Sequence, residues 1–378
     1  MPGRADDLAE RIEPLFEENF TRFGELGAAI SIWWKGRSVL ELSGGFRDAR
    51  RATPWTDDTI VLFWSATKGL GSACLLHALQ ERNVGLSRCV AEFWPEFAQS
   101  GKGKITLAQL LSHQAGLAAF DEAASVIDYA AVVRALEKQQ PLWPPGSAHG
   151  YHARTFGFLL DELVRRIDGR TIGDYWREVF AEPLALDIWI GLPAKENARV
   201  ATIYASKDSS APDAFYRALA TPGTLQRKTF TSPHGLSAVS AMNAPQHRAL
   251  SIVSLGGIGS ATSLAKFYAM LTNEGELEGR RFFSRETIAQ MTTTLVSGLD
   301  RVFEIPTAFS AGFMKDPGEA RQRIFGPSRL AFGHPGAGGS HAFADPENSL
   351  AFAYVMNQMK QKLLPNEKSL RLVEALYR

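Results

Sequence analysis

The stretch "VLFWSATKGLGSACLLHAL" (residues 61–79) sets a serine, two spacers and a lysine at the mouth of an apolar segment of helical character. A lysine three residues after a serine lies on the same helical face. A serine hydroxyl is a poor nucleophile at neutral pH and needs a base for its proton and donors for the resulting oxyanion. At a buried helix N-terminus, desolvation and the positive end of the dipole both disfavour a lysine's ammonium and push its pKa down. Ser65 and Lys68 thus have the chemistry of a nucleophile with its amine base. The spacing alone is equally that of an ordinary polar first turn, and the rest of the chain has to decide.

Two further stretches offer companions. "YHARTFGFLLDELVRRIDG" carries Phe156, Leu159, Leu160, Leu163, Val164 and Ile167 at helical spacing and ends on Gly169, after the rigid loop "PLWPPGSAHG". Tyr151 begins that helix, where its phenol either faces a cleft or packs on Pro144 or Pro145. In "FGHPGAGGSHAF", Gly333, Gly336, Gly338 and Gly339 flank an expected edge strand. Missing side chains there let a ligand lie against the backbone, although a plain glycine-rich turn reads the same way. No lysine followed by serine or threonine trails these glycines, so this is no phosphate loop.

Outward from these motifs, both ends of the chain read as sheet. After an amphipathic opening helix (Leu8, Ile12, Leu15, Phe16), "AAISIWWKGRSVLELSGGF" gives two β-rich runs around Lys35 and Gly36. "GGSHAFADPENSLAFAYVMNQ" repeats the pattern around "DPEN" before a closing helix near "KSLRLVEALYR". The middle reads as helical. "ITLAQLLSHQAGL" opens with Thr106 and Gln109 in capping-box spacing and is expected to stop at Gly116. From about 193 to 248 periodicity is weak.

Composition narrows the function classes. At 378 residues and 45% hydrophobic content the chain buries a sizeable core and exceeds one simple domain. Residues 1–75 and 250–378 are expected to form a discontinuous sheet domain and 76–249 a helical domain. With 41 basic and 40 acidic residues, the formal charge of +1 offers no field for nucleic acid or an anionic membrane. The partner expected is a small-molecule substrate, and homo-oligomerisation stays open. Cys74 and Cys89 form no framework. Asp6, Asp7, Glu10 and Glu13 sit where a secretory signal needs an apolar run, and no window reaches the roughly 20 apolar residues of a membrane span, so a cytoplasmic protein is expected.

"SATK", "YHA" and "HPG", in that order and spacing, resemble the three motifs of the class C β-lactamase-like serine hydrolases. That superfamily includes penicillin-binding DD-peptidases, family VIII carboxylesterases and acyltransferases. "LLSHQAGL" and "LGGIGSATSLAKFYAMLTNEGEL" are similar to further stretches of it, so the resemblance runs from about Ala29 to Gln358. It implies an α+β fold, an antiparallel sheet flanked by helices with an inserted all-helical lobe, and Ser65 in the groove between. It also implies that Lys68 and Tyr151 share the proton work, either one being the base, and that the backbone amides of Ser65 and Ala337 form the oxyanion hole. No cofactor or metal is implied.

The departures carry the substrate information. Ala153 stands where β-lactamases place an asparagine for the antibiotic's amide, and His334 where they place a lysine near its carboxylate. Histidine is largely neutral at pH 7 unless perturbed. His-x-Gly resembles the carboxylesterase branch, so the expectation is a serine carboxylesterase for short-chain, uncharged esters. Trp64, Phe120 and Trp143 suggest an aromatic-walled cleft, so Trp64, Phe120, Ala153, His334 and Gly336 are the expected substrate-binding residues. The competing readings are an acyltransferase or an amide or β-lactam hydrolase of the same fold, and a binding homologue without chemistry. An α/β-hydrolase would need a G-x-S-x-G elbow, which is absent. A metal hydrolase built on His149 and His152 lacks an HExxH helix or acidic cluster.

Overall fold

The computed structural model describes residues 5–207, 213–318, 323–362 and 364–378. Lys35 and Gly36 take φ of 51° and 73° and join Gly27–Trp34 to Arg37–Gly45 as an antiparallel hairpin, the double left-handed backbone that a tight two-residue turn needs. At the other end His341–Asp345 pairs with Leu350–Met356. The two hairpins meet: Gly27–Trp34 runs against Leu350–Met356, from Ala28 opposite Met356 to Trp34 opposite Leu350. Among the described residues the sheet has eight strands, in spatial order Arg37–Gly45, Gly27–Trp34, Leu350–Met356, His341–Asp345, Phe332–Pro335, Met314–Lys315, Pro306–Phe309 and Val296–Leu299.

Every residue of Leu350–Met356 is buried, and since side chains alternate between faces both faces are covered. The helix Ala261–Thr272 packs on this strand and its neighbours, while the terminal helices Ala5–Thr21 and Glu367–Leu376 pack on one another. Lys368 Nζ lies 2.8 Å from Glu25, both side chains without exposure, and the Tyr354 hydroxyl donates to the same carboxylate. Such a pair costs desolvation and persists because each partner is hydrogen-bonded; it ties the closing helix to the first strand.

Between the hairpins lie mostly helices. Thr67–Glu81 follows Ser65, and Thr155–Asp168 ends at Gly169 with φ of 99°. The Thr106/Gln109 capping box is formed, Gln109 N donating to Thr106 Oγ1 at 3.2 Å and Thr106 N to Gln109 Oε1 at 3.0 Å. Its helix is only Leu107–Leu111, five residues short of the expected stop at Gly116, because Ser112 Oγ turns back to the Ala108 carbonyl and His113 is left-handed at φ 61°. The weakly periodic stretch holds the short helices Ala214–Ala220, Leu225–Thr231 and Pro245–Arg248, with 208–212 outside the described residues. The segment between the hairpins also contributes a strand: Ile188–Ile190 pairs with Gly257–Gly259, which pairs with Val61–Leu62 just ahead of Ser65.

One expectation is corrected. Phe332–Pro335 is not an edge strand but the fifth of eight. Its neighbour Met314–Lys315 is two residues long and pairs with it only through Met314 opposite Gly333, so that ladder stops before His334. Among the described residues no helix is long and apolar enough to cross a membrane.

Candidate active site

Ser65 occupies a single 3-10 turn, Trp64–Ala66, between the Val61–Leu62 strand and the Thr67–Glu81 helix. Trp64 is left-handed at φ 53°, a backbone that costs a non-glycine residue about 1–3 kcal/mol and persists only when surroundings over-determine it. Thr67 supplies that: its hydroxyl donates to the Trp64 carbonyl at 2.6 Å and accepts Gly257 N at 2.8 Å. A Cβ on Gly257 would stand 2.7 Å from Thr67 Oγ1, so only glycine fits there.

Lys68 is wholly buried and its Nζ donates to Ser65 Oγ at 3.1 Å and to the Ser254 carbonyl at 2.7 Å. Burial, reinforced by the nearby Arg154 guanidinium, holds its pKa well below the ordinary lysine value. Tyr151 closes the group, its ring centroid 4.8 Å from Lys68 Nζ and its Oη 3.5 Å from His334 Nε2. It does not begin a helix as expected; it lies in the loop four residues before Thr155, where its backbone N–H donates to Asp300 Oδ1 at 3.2 Å. Asp300 also accepts the amides of Val302 and Phe303 at 2.8 and 2.9 Å, and Phe303 stacks on the Tyr151 ring at 4.6 Å. Burial pushes the phenol's pKa up, against an interaction with Ser65 that lowers it, so Tyr151 is a protonated donor at neutral pH.

His334 is buried, and desolvation, reinforced by Lys68, pushes its imidazole down to about 3. Its Nδ1 lies 2.8 Å from the Pro335 carbonyl, which only accepts, so Nδ1 carries the proton and Nε2 accepts the Tyr151 hydroxyl. Where β-lactamases hold a cation, this chain has a neutral ring.

These residues face a cavity of about 250 Å³ lined by Ser65, Tyr151, His334, Gly336 and Ala337. The structure does not bring Trp64, Phe120 or Ala153 to that lining. Phe120 and Ala153 are core residues at 4% and 5% exposure, and the left-handed turn at Trp64 leaves its indole half-buried among the core's neighbours. The aromatic wall comes instead from Phe215, Tyr216 and Phe230 on the short helices and from Phe303, none of which has a readable sequence signal. Gly336 does line the cavity, and a Cβ on it would stand 2.0 Å from the Phe63 carbonyl, so it also permits close approach to the residue that follows the Val61–Leu62 strand.

Two other tyrosines, and the histidines of the metal-hydrolase reading, are engaged elsewhere. Tyr129 donates to Glu162 at 2.9 Å and Tyr175 pairs with His77 at 2.7 Å. His152 Nε2 accepts Leu117 N at 2.9 Å while Nδ1 donates to the Gly150 carbonyl, and His149 Nε2 bonds Thr307 Oγ1. Among the described residues no group of three or more His, Cys, Asp and Glu side chains could hold a metal ion.

The family model described as Beta-lactamase matches residues 16–375. The chain belongs to the beta-lactamase family. It is 32% identical to the esterase/beta-lactamase LipL of Mycobacterium tuberculosis over 375 residues, 96% of this chain and 84% of that one. A penicillin-binding protein homologue from Caulobacter crescentus superposes with a TM-score of 0.88 at 37% identity, covering 100% of this chain and 98% of that one. The crystal structure of a family VIII carboxylesterase superposes with a TM-score of 0.87 at 35% identity, covering 100% and 99%. The antiparallel sheet with its helices is thus the β-lactamase and penicillin-binding-protein fold.

Proposed function

We propose that the protein is a serine carboxylesterase that hydrolyses uncharged esters with short acyl groups through an acyl-enzyme on Ser65. The observation that carries this is the 3.1 Å contact between Ser65 Oγ and a buried Lys68 whose pKa burial holds well below the ordinary lysine value. Its relatives named as esterases support the reading.

In the first step the Lys68 amine takes the Ser65 proton as Oγ attacks the ester carbonyl, and the oxyanion sits against the amides of Ser65 and Ala337. The leaving alkoxide takes the Tyr151 proton, and the Lys68 proton replaces it, so the alcohol departs neutral and Lys68 is again an amine. Water then attacks the acyl-enzyme by the same relay and restores Ser65. The raised phenol pKa favours Lys68 as base and Tyr151 as donor. The neutral His334 offers no charge for a β-lactam carboxylate, which sets the ester reading above the β-lactam one. An alcohol or amine in place of water would make the same acyl-enzyme a transferase.

Intact mass and peptide mapping after reaction with a nitrophenyl alkylphosphonate test the reading. One adduct on the Ser65 peptide, lost in Ser65→Ala together with turnover of nitrophenyl acetate, is expected. An adduct on Ser112 or Ser340 would overturn it.

A further inference from the structure

The cavity at Ser65, about 250 Å³, falls below the roughly 300–1,000 Å³ of sites that enclose a drug-sized ligand. It does not end blindly. Leu364 lines it and also lines two neighbouring cavities, one of about 410 Å³ bounded by Phe303 and Ile305 and one of about 810 Å³ bounded by Ile305, Pro306 and Met314. Met314 faces both the Ser65 cavity and the largest one, at the point where the ladder to Phe332–Pro335 stops. Leu364 and Met314 are therefore shared walls between the reacting centre and a much larger space.

Three polar side chains of that larger space are already engaged. Lys315 Nζ donates to the Arg329 and Ala331 carbonyls at 3.0 and 3.1 Å. Asp316 accepts the amides of Ile324 and Phe325 at 2.8 and 3.1 Å. Thr307 is tied to Asp300 and His149. Beside the exposed Ser297, what the walls leave for a ligand is mainly apolar, and it includes Leu299, an apolar side chain left 68% exposed. Lys362, at the junction nearer Ser65, is exposed and keeps its ammonium in water while its stem lies along the wall.

We infer that the substrate is an ester with one long apolar arm, which passes Leu364 and Met314 from the Ser65 cavity into the space beside Leu299. This rests on the esterase reading and extends it: the small pocket takes the reacting carbonyl and the short arm, and the linked cavities take the other. Each methylene wholly buried is worth about 4-fold in kcat/KM, and less where the wall is open.

The test compares kcat/KM, below micelle-forming concentrations, in two series: nitrophenyl acetate, butyrate, octanoate and decanoate, and butyrate esters of ethanol, butanol and octanol. Because the acyl group is the short arm, a rise of at least about 10-fold towards the eight-carbon member is expected in the butyrate series, with no such rise beyond butyrate in the nitrophenyl series. In the butyrate series Leu299→Arg and Leu364→Trp should each lower the long-to-short ratio by about 10-fold, and Leu364→Ala should raise it. Leu299 is exposed, so its variant keeps the test open if Leu364→Trp fails to fold. Falling or level rates from butyl to octyl butyrate, ratios that ignore Leu299→Arg, or a preference for an ω-carboxylate chain of equal length would overturn the inference. If nitrophenyl acetate is still turned over in a Ser65-dependent way, the esterase reading survives that result; if no ester is, both fall.

Discussion

Replacing Lys68 with methionine should cost the protein its activity and make it relatively more stable the lower the pH. The Lys68 side chain has no exposure, and burial, then Arg154, hold its pKa well below the 10.5 that the unfolded chain approaches. Between the native pKa and that value the unfolded chain carries a proton the native state lacks. Stability of the wild type therefore rises with pH across this window, by about 1.4 kcal/mol per unit. Methionine carries no proton in either state, so this dependence vanishes in the variant. It leaves the Ser254 carbonyl without the 2.7 Å donor, a cost of about 1–3 kcal/mol that does not vary with pH. The difference between the two proteins thus separates the contact from the charge.

The assay is urea unfolding of both proteins at pH 7, 8 and 9. The stability of Lys68→Met relative to wild type should fall as pH rises, by up to about 1.4 kcal/mol per unit once the pH exceeds the native Lys68 pKa, while all other titrating groups cancel. Its kcat/KM on nitrophenyl butyrate should be lower by about 10²–10⁴, the usual worth of a positioned base. In the wild type, kcat/KM should drop as pH falls through the native Lys68 pKa. A stability difference that is the same at pH 7 and pH 9 would mean that the native lysine holds its proton as the unfolded one does, and an ammonium cannot take a proton from Ser65.

Tyr151→Phe keeps the stack on Phe303 at 4.6 Å and loses the hydroxyl; thermal unfolding should barely move while kcat/KM falls about 10²–10⁴. Combined with Lys68→Met it should be little worse than the poorer single variant, because the two act as one unit, and additive losses would refute that. A nitrophenyl ester should exceed a chromogenic cephalosporin in kcat/KM by at least about 30-fold, since a charge-assisted bond to the carboxylate, about 1.5–3 kcal/mol, and a neutral one are both missing; a ratio near one would show recognition by other groups. Asp300→Ala strips the acceptor from the amides of Tyr151, Val302 and Phe303 and should cost about 3 kcal/mol or more in urea unfolding. Asp300→Asn, which keeps one carbonyl oxygen, should recover part of the stability and of the kcat.

What could be read from the sequence was what local rules decide. The two hairpins were legible because turn chemistry and alternation are local, and their meeting in one sheet followed from both ends being strand-rich. The three motifs were legible because the backbone there leaves few choices: Thr67 must bond Trp64 and Gly257, and Gly336 must clear the Phe63 carbonyl. The cavity wall was not legible. Phe215, Tyr216 and Phe230 sit on helices of seven residues, too short for a periodic signal. Trp64 and Phe120 were chosen for closeness in sequence to the motifs, and a left-handed turn and core packing take them away from the cavity.

The depressed Lys68 pKa illustrates a cause that sequence could state only in part. Burial at a helix start was readable; the second cause, Arg154, stands three residues after Tyr151, immediately past the "YHA" motif. Its guanidinium donates to the Phe230 and Gly235 carbonyls at 3.2 and 2.6 Å, while its own carbonyl accepts Ser254 Oγ at 2.6 Å. The Ser254 carbonyl in turn receives Lys68. One residue thus fixes the segment that carries Phe230 into the cavity, orients the carbonyl that holds the amine, and opposes a second positive charge beside itself. Burial pushes Arg154 itself down only to about 10, so it keeps its charge at neutral pH and adds to burial in disfavouring a second charge on Lys68. The depressed amine beside Ser65 and the position of Phe230 in the cavity wall both draw on the same buried cation.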